Sequence, residues 1–141
     1  GRFYGYIAGI NPKYLAKSEL FLPILGTLFR WNGAMPVDRN SKNNLVDQIV
    51  EKFNISDSFM LGIAPEGTRS RVDKWKTGFY HIAYKSNVPI LLMALDFKNK
   101  EIGIINSLIP TGDINKDMIF IQSQFKDVEG KIPENYNPVI L

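Results

Sequence analysis

Phe59-Met60-Leu61-Gly62-Ile63-Ala64-Pro65-Glu66-Gly67-Thr68-Arg69-Ser70-Arg71 joins a near-continuous apolar run to a proline, an acid, a glycine, two hydroxyls and two arginines. The run from Phe59 to Ala64 reads as a strand covered on both faces, as in a parallel sheet. The segment from Pro65 to Arg71 reads equally as a solvated turn capped by its own hydroxyls and as a site for an anion. Gly67 lets a ligand approach the backbone closely. Thr68 and Ser70 supply hydroxyl donors. Arg69 supplies a planar fork that matches a phosphate at two points. In open α/β sheets ligands bind beyond the carboxyl ends of strands, which is where this turn falls.

The elements on either side fix the class. Tyr14-Leu15-Ala16 reads as a short strand with Ser18 as a following cap, and "LPILGTLFRW" as a helix closed by Gly33. Met35-Pro36-Val37 reads as extended. Ser41 caps a second helix, whose Leu45, Val46, Ile49, Val50 and Phe53 share one face. Lys74 to Ser86 reads as a third helix, with Trp75, Phe79, Ile82 and Ala83 on one stripe. Val88 to Leu95 reads as a second buried strand, and Glu101 to Ile109 as one or two more. Asp113 caps a last helix that turns Met118, Ile121 and Phe125 inward. Strands alternating with helices predict an α/β fold: a mixed, largely parallel central sheet flanked by helices.

The chain has 141 residues, which predicts a single domain over residues 1–141. There are no cysteines and one histidine, so disulfides, thiolate catalysis and multi-histidine metal sites are excluded. The formal charge of +3 allows an anionic ligand or membrane surface but is too weak to imply nucleic acid. No apolar run reaches the roughly 18 residues of a membrane helix. The opening "GRFYGYIAGI" has neither a methionine nor the charged start and apolar core of a signal peptide. It reads as the start of a processed or shortened chain.

A second basic element is Gly33-Ala34-Met35-Pro36-Val37-Asp38-Arg39. Taken alone, Arg39 reads best as an exposed side chain paired with Asp38. Taken in order, "GAMPVDR", "APEGTRSR" and "VPI" resemble the glycerolipid acyltransferase family, best known for the lysophosphatidic acid and glycerol-3-phosphate acyltransferases. "WKTGFYHIA", Trp75 to Ala83, resembles its bacterial branch. The resemblance runs from about Tyr14 to Asp113, and the order of blocks is far more specific than any one block.

The resemblance implies transfer of a fatty acyl group from acyl-CoA or acyl carrier protein to a glycerophosphate-type hydroxyl, with no cofactor and no metal. It implies that Arg39, Gly67, Thr68, Arg69, Ser70 and Lys17 bind the acceptor phosphate, with Glu66 in support. Ala64 stands where the family often has Phe, and Leu92 where a second proline is common. The implied partners are an acyl donor, a phosphorylated glycerolipid acceptor and a membrane surface, with no nucleic acid. The implied location is cytoplasmic, peripheral to the inner face of the cell membrane. For the membrane surface the sequence offers Phe21, Leu22, Ile24, Leu25, Leu28, Phe29 and Trp31 with Phe3, Tyr4, Tyr6 and Ile7, flanked by Lys13, Lys17 and Arg30. A core helix would have the same composition.

The family's catalytic pair is a His with an Asp five positions later, the His acting as general base. The one histidine here, His81, has Ser86 at that distance and reads as a partly exposed helix residue. The expectation is a chain that begins just after the catalytic block, or a homologue that never had one. Either would bind acceptor but catalyse poorly, since a general base contributes about 10²–10⁴-fold.

Overall fold

The computed structural model describes residues 9–23, 25–37, 45–68, 70–135 and 137. These fall in two compact units, residues 1–63 and 64–141.

In the first unit, β1 (Lys13–Lys17) is the middle strand of a three-stranded parallel sheet in the order β2-β1-β3, with β2 at Ala34–Val37 and β3 at Leu61–Gly62. Tyr14 faces Ala34 on one side and Gly62 on the other. Parallel neighbours need crossover connections. Helix α1 (Leu25–Trp31) supplies the first and α2 (Leu45–Asn54) the second.

Helix α1 stops where the sequence predicts. Gly33 has φ 83°, its amide donates to the Arg30 carbonyl at 2.9 Å, and its carbonyl accepts from the Tyr14 amide at 3.1 Å. A residue with a Cβ resists that left-handed geometry. Helix α2 buries Ile49 and half-buries Leu45, Val46, Val50 and Phe53, the predicted face. Phe53 meets Phe59 edge to face at 4.7 Å. The Ser41 cap lies outside the described residues.

Strand β3 covers only Leu61–Gly62, with Ile63 and Ala64 exposed, so the longer two-sided strand expected from Phe59 to Ala64 does not form.

The second unit holds α3 (Gly78–Ser86), the antiparallel hairpin of β4 (Ile90–Asp96) and β5 (Glu101–Leu108), and α4 (Ile114–Gln124). Helix α3 starts later than Lys74. The Lys76 amide donates 3.0 Å to the Pro65 carbonyl instead of joining a helical ladder. Its end is set by Asn87 at φ 52°, the left-handed cap position that asparagine tolerates. In the hairpin turn the Asp96 carboxylate accepts from the Lys98 and Asn99 amides and the Asn99 side chain.

Strand β4 was expected to be buried throughout; instead it alternates. Leu92 and Ala94 are buried, while Leu91, Met93 and Leu95 are exposed. Only one face meets a partner layer, the usual state of an antiparallel pair. Leu92 packs with Met118 and Ile121 of α4, ringed by Trp75, Phe79, Ile90, Leu108 and Phe125. Asp113 caps α4 as predicted, its carboxylate accepting from the Lys116 amide at 3.1 Å.

Candidate functional site

The stretch Ala64–Ser70 opens with a four-residue turn. The Gly67 amide donates to the Ala64 carbonyl at 3.1 Å, with Pro65 and Glu66 at the two central positions. Pro65 suits the first of these because its ring presets the backbone angle. Gly67 comes next at φ 68°, a left-handed value that glycine adopts without strain. The Thr68 hydroxyl then accepts from the Ser70 amide at 3.2 Å, so that hydroxyl holds the loop's own backbone.

Three further bonds fix the segment after the turn. The Asn137 side-chain amide donates to the Val72 and Asp73 carbonyls at 3.0 and 2.8 Å. The Arg71 guanidinium donates to the Glu134 carbonyl at 3.3 Å. The chain thereby doubles back, and Lys76 comes to lie against the turn. A Cβ placed on Gly67 would stand 3.1 Å from the Lys76 ammonium nitrogen.

Gly67, Thr68 and Ser70 are exposed and Glu66 half-buried, on one surface loop. Arg69 and Arg39 lie outside the described residues, as do Phe3, Tyr4, Tyr6, Ile7 and Ile24. Lys17 is exposed at the carboxyl end of β1, paired in register with Val37 at the carboxyl end of β2. His81 is exposed on α3, edge-on to the Tyr80 ring at 5.9 Å. Among the described residues no three His, Cys, Asp or Glu side chains are grouped as a metal ion would require.

Sequence reasoning missed the polar cluster that anchors α3. Asp117, 2% exposed, accepts from the Tyr80 hydroxyl at 2.8 Å, the Thr111 amide at 2.7 Å and the Thr111 hydroxyl at 3.0 Å. The Tyr80 oxygen in turn accepts from the Gly112 amide at 3.1 Å. Burial pushes the Asp117 carboxyl up, but the three donors outweigh it and hold it below the usual carboxylate range. Burial, together with the smaller effect of the bond to Asp117, pushes the Tyr80 phenol up. The only sequence sign was an aspartate in the first turn of a helix, which reads as a surface charge facing the helix dipole.

On α1 Gly26 is buried; Phe29 of the helix and Phe21 just before it are half-buried, their rings 5.9 Å apart. Leu22, Leu25, Leu28 and Trp31 recur every third residue and are exposed, Trp31 at 82%. That stripe is not core. No helix among the described residues is long and apolar enough to cross a membrane.

Comparison with known proteins gives these features a context. Residues 4–96 match the family model described as Acyltransferase. The chain is 32% identical to the 1-acyl-sn-glycerol-3-phosphate acyltransferase of Escherichia coli over 93 residues, 62% of this chain and 38% of that one. It is 31% identical to the enzyme of the same name from Limnanthes douglasii over 66% of this chain and 35% of that one. It is 29% identical to that of Haemophilus influenzae over 62% of this chain and 39% of that one. The chain thus spans under two fifths of the length of these curated relatives. No solved structure shows significant similarity to it.

Proposed function

Because this chain belongs to the acyltransferase family, we propose that the protein moves a fatty acyl group from a thioester donor, acyl-CoA or acyl carrier protein, to a phosphorylated glycerolipid such as 1-acylglycerol 3-phosphate. The observation that carries the reading is the loop from Glu66 to Ser70: left-handed at Gly67, hydroxyl-bearing, and flanked by an ammonium. The relatives' shared name supports the acceptor class. Arg69 and Arg39 supply forked donors to the phosphate, Lys17 a further cation, and Glu66 holds Arg69 or the acceptor glycerol.

The reaction asks little more of this part of the protein. The acceptor hydroxyl oxygen attacks the thioester carbonyl, a C–O bond forms and the C–S bond breaks. The hydroxyl proton passes to a general base and then to the departing thiolate. A fixed phosphate orients the hydroxyl for that attack. The base is not His81, which is exposed and has Ser86 where the orienting aspartate would stand.

The lipid substrate requires a membrane surface. The exposed stripe Leu22, Leu25, Leu28 and Trp31 lies in that interface, with exposed Arg30 and Lys17 toward anionic headgroups on the inner face of the cell membrane.

Acyl transfer to lysophosphatidic acid tests the reading, with this chain compared against the complete native gene product. Transfer by the native gene product is expected. No transfer to any phosphorylated glycerol acceptor, with acceptor binding kept, would replace it by a non-catalytic lipid- or phosphate-binding homologue. The absence of a His-x4-Asp block from the sequence is what favours that second reading. Transfer by this chain alone would return His81 to consideration.

A further inference from the structure

Lys76 meets the turn twice, once through its backbone and once through its side chain. Its backbone amide is bonded to Pro65, which sets its Cα beside the loop. Its side chain then runs along Gly67, with Cδ, Cε and Nζ all within van der Waals reach of the place a Cβ would occupy, Nζ nearest at 3.1 Å. Glycine at position 67 therefore does two things: it accepts the left-handed backbone, and it leaves the room the ammonium occupies. Neither Lys76 nor the neighbouring Glu66 makes an ion pair among the described residues. Lys76 is exposed, so its ammonium can take up an anion at little desolvation cost.

A phosphate monoester carries about −1.5 to −2 charges at pH 7. We infer that Lys76 is a further cation for the phosphate bound at the Glu66–Ser70 turn, a binding residue additional to Arg39, Arg69 and Lys17. The inference rests on the proposed function for the identity of the phosphate: the acceptor's headgroup or a phosphate of the acyl donor. It is a point charge without fork geometry, so its contribution is to affinity and not to orientation.

The test uses the complete native protein with Lys76→Met and Lys76→Arg, and with Lys74→Met as a control for loss of one nearby exposed charge. KM for lysophosphatidic acid, KM for acyl-CoA and kcat are measured for each. Lys76→Met should raise the acceptor KM on the order of 10-fold, the size of a lost hydrogen bond to a charged group. The donor KM and kcat should stay near wild type, Lys76→Arg should recover most of the loss, and Lys74→Met should have no effect. A rise confined to the donor KM supports the cation role and assigns the phosphate to the donor.

Both KM values unchanged, with only a lower melting temperature, would overturn the inference and leave Lys76 as a prop for the turn. If the wild-type protein transfers no acyl group, calorimetry with glycerol 3-phosphate separates the two claims. Binding weakened by Lys76→Met then supports the cation role while the acyl-transfer reading fails. Wild-type binding that Lys76→Met leaves unchanged, or no wild-type binding, overturns the inference.

Discussion

Replacing Asp117 by alanine removes three accepted hydrogen bonds from the joint between α3 and the start of α4. The Tyr80 hydroxyl is buried and loses its carboxylate, a charge-assisted bond of about 1.5–3 kcal/mol. Thr111 is exposed, so water replaces most of what its two donors lose. The lost charge in the first turn of α4 adds about 0.5 kcal/mol. The expected cost is therefore about 3 kcal/mol, and with a urea m-value near 1.5 kcal/mol/M the midpoint falls by about 2 M.

Trp75 packs on the Leu92–Met118–Ile121 core and reports unfolding by fluorescence, in a Trp31→Phe background that removes the exposed tryptophan. Tyr80→Phe should cost about 1.5 kcal/mol, and the double variant less than the sum of the two, because they share a bond. The difference from wild type should also depend on pH. Asp117 has a depressed pKa in the folded state, so its stabilisation is present above the ordinary aspartate value of about 3.9 and is lost as pH falls through the depressed one. At the alkaline end the Tyr80 pKa is raised. Its stabilisation holds below the ordinary tyrosine value of about 10 and is lost as pH rises through the raised one. A cost below about 0.5 kcal/mol, or strict additivity with Tyr80→Phe, would refute the reasoning.

Two glycine-to-alanine changes should act in opposite directions in urea denaturation. At Gly26 the new Cβ would stand 2.9 Å from the Phe21 carbonyl carbon, backbone that cannot step aside, for a loss of about 2 kcal/mol. At Gly78 a Cβ meets nothing within 4 Å, and alanine should add about 0.5 kcal/mol by restricting the unfolded chain. Leu28→Ser with Trp31→Ser should weaken cosedimentation with anionic vesicles more than 10-fold, since burying each side chain in the interface contributes about 1.5 kcal/mol or more. Unchanged cosedimentation would remove the stripe from the membrane reading.

What was legible in the sequence was local. The Asp113 cap, the Gly33 stop and the apolar face of α2 are each decided by residues within a few positions, and the structure has all three. The apolar run at β4 misled because Leu91, Met93 and Leu95 are apolar yet exposed, so no polar alternation marked the outer face. The start of α3 misled because the Lys76 amide goes to Pro65, a bond that the helical periodicity from Trp75 onward does not disclose. The anion turn was readable from its residue types. The ammonium of Lys76 was not, because it reaches Gly67 only after the chain doubles back. Of the arginines on which the resemblance leans, Arg39 and Arg69 lie outside the described residues.

The parallel sheet of the first unit also sets an order of assembly. Its middle strand β1 is made before either of its partners, which arrive only after α1 and after α2. Until Leu61 and Gly62 have been synthesised, one edge of β1 has no ladder to join. The β4–β5 hairpin closes across a tight turn held by Asp96 and needs no distant segment. Folding speed falls as contacts grow more distant in sequence. The hairpin is therefore the fast step, and β3, two residues long and last to arrive, completes the first unit.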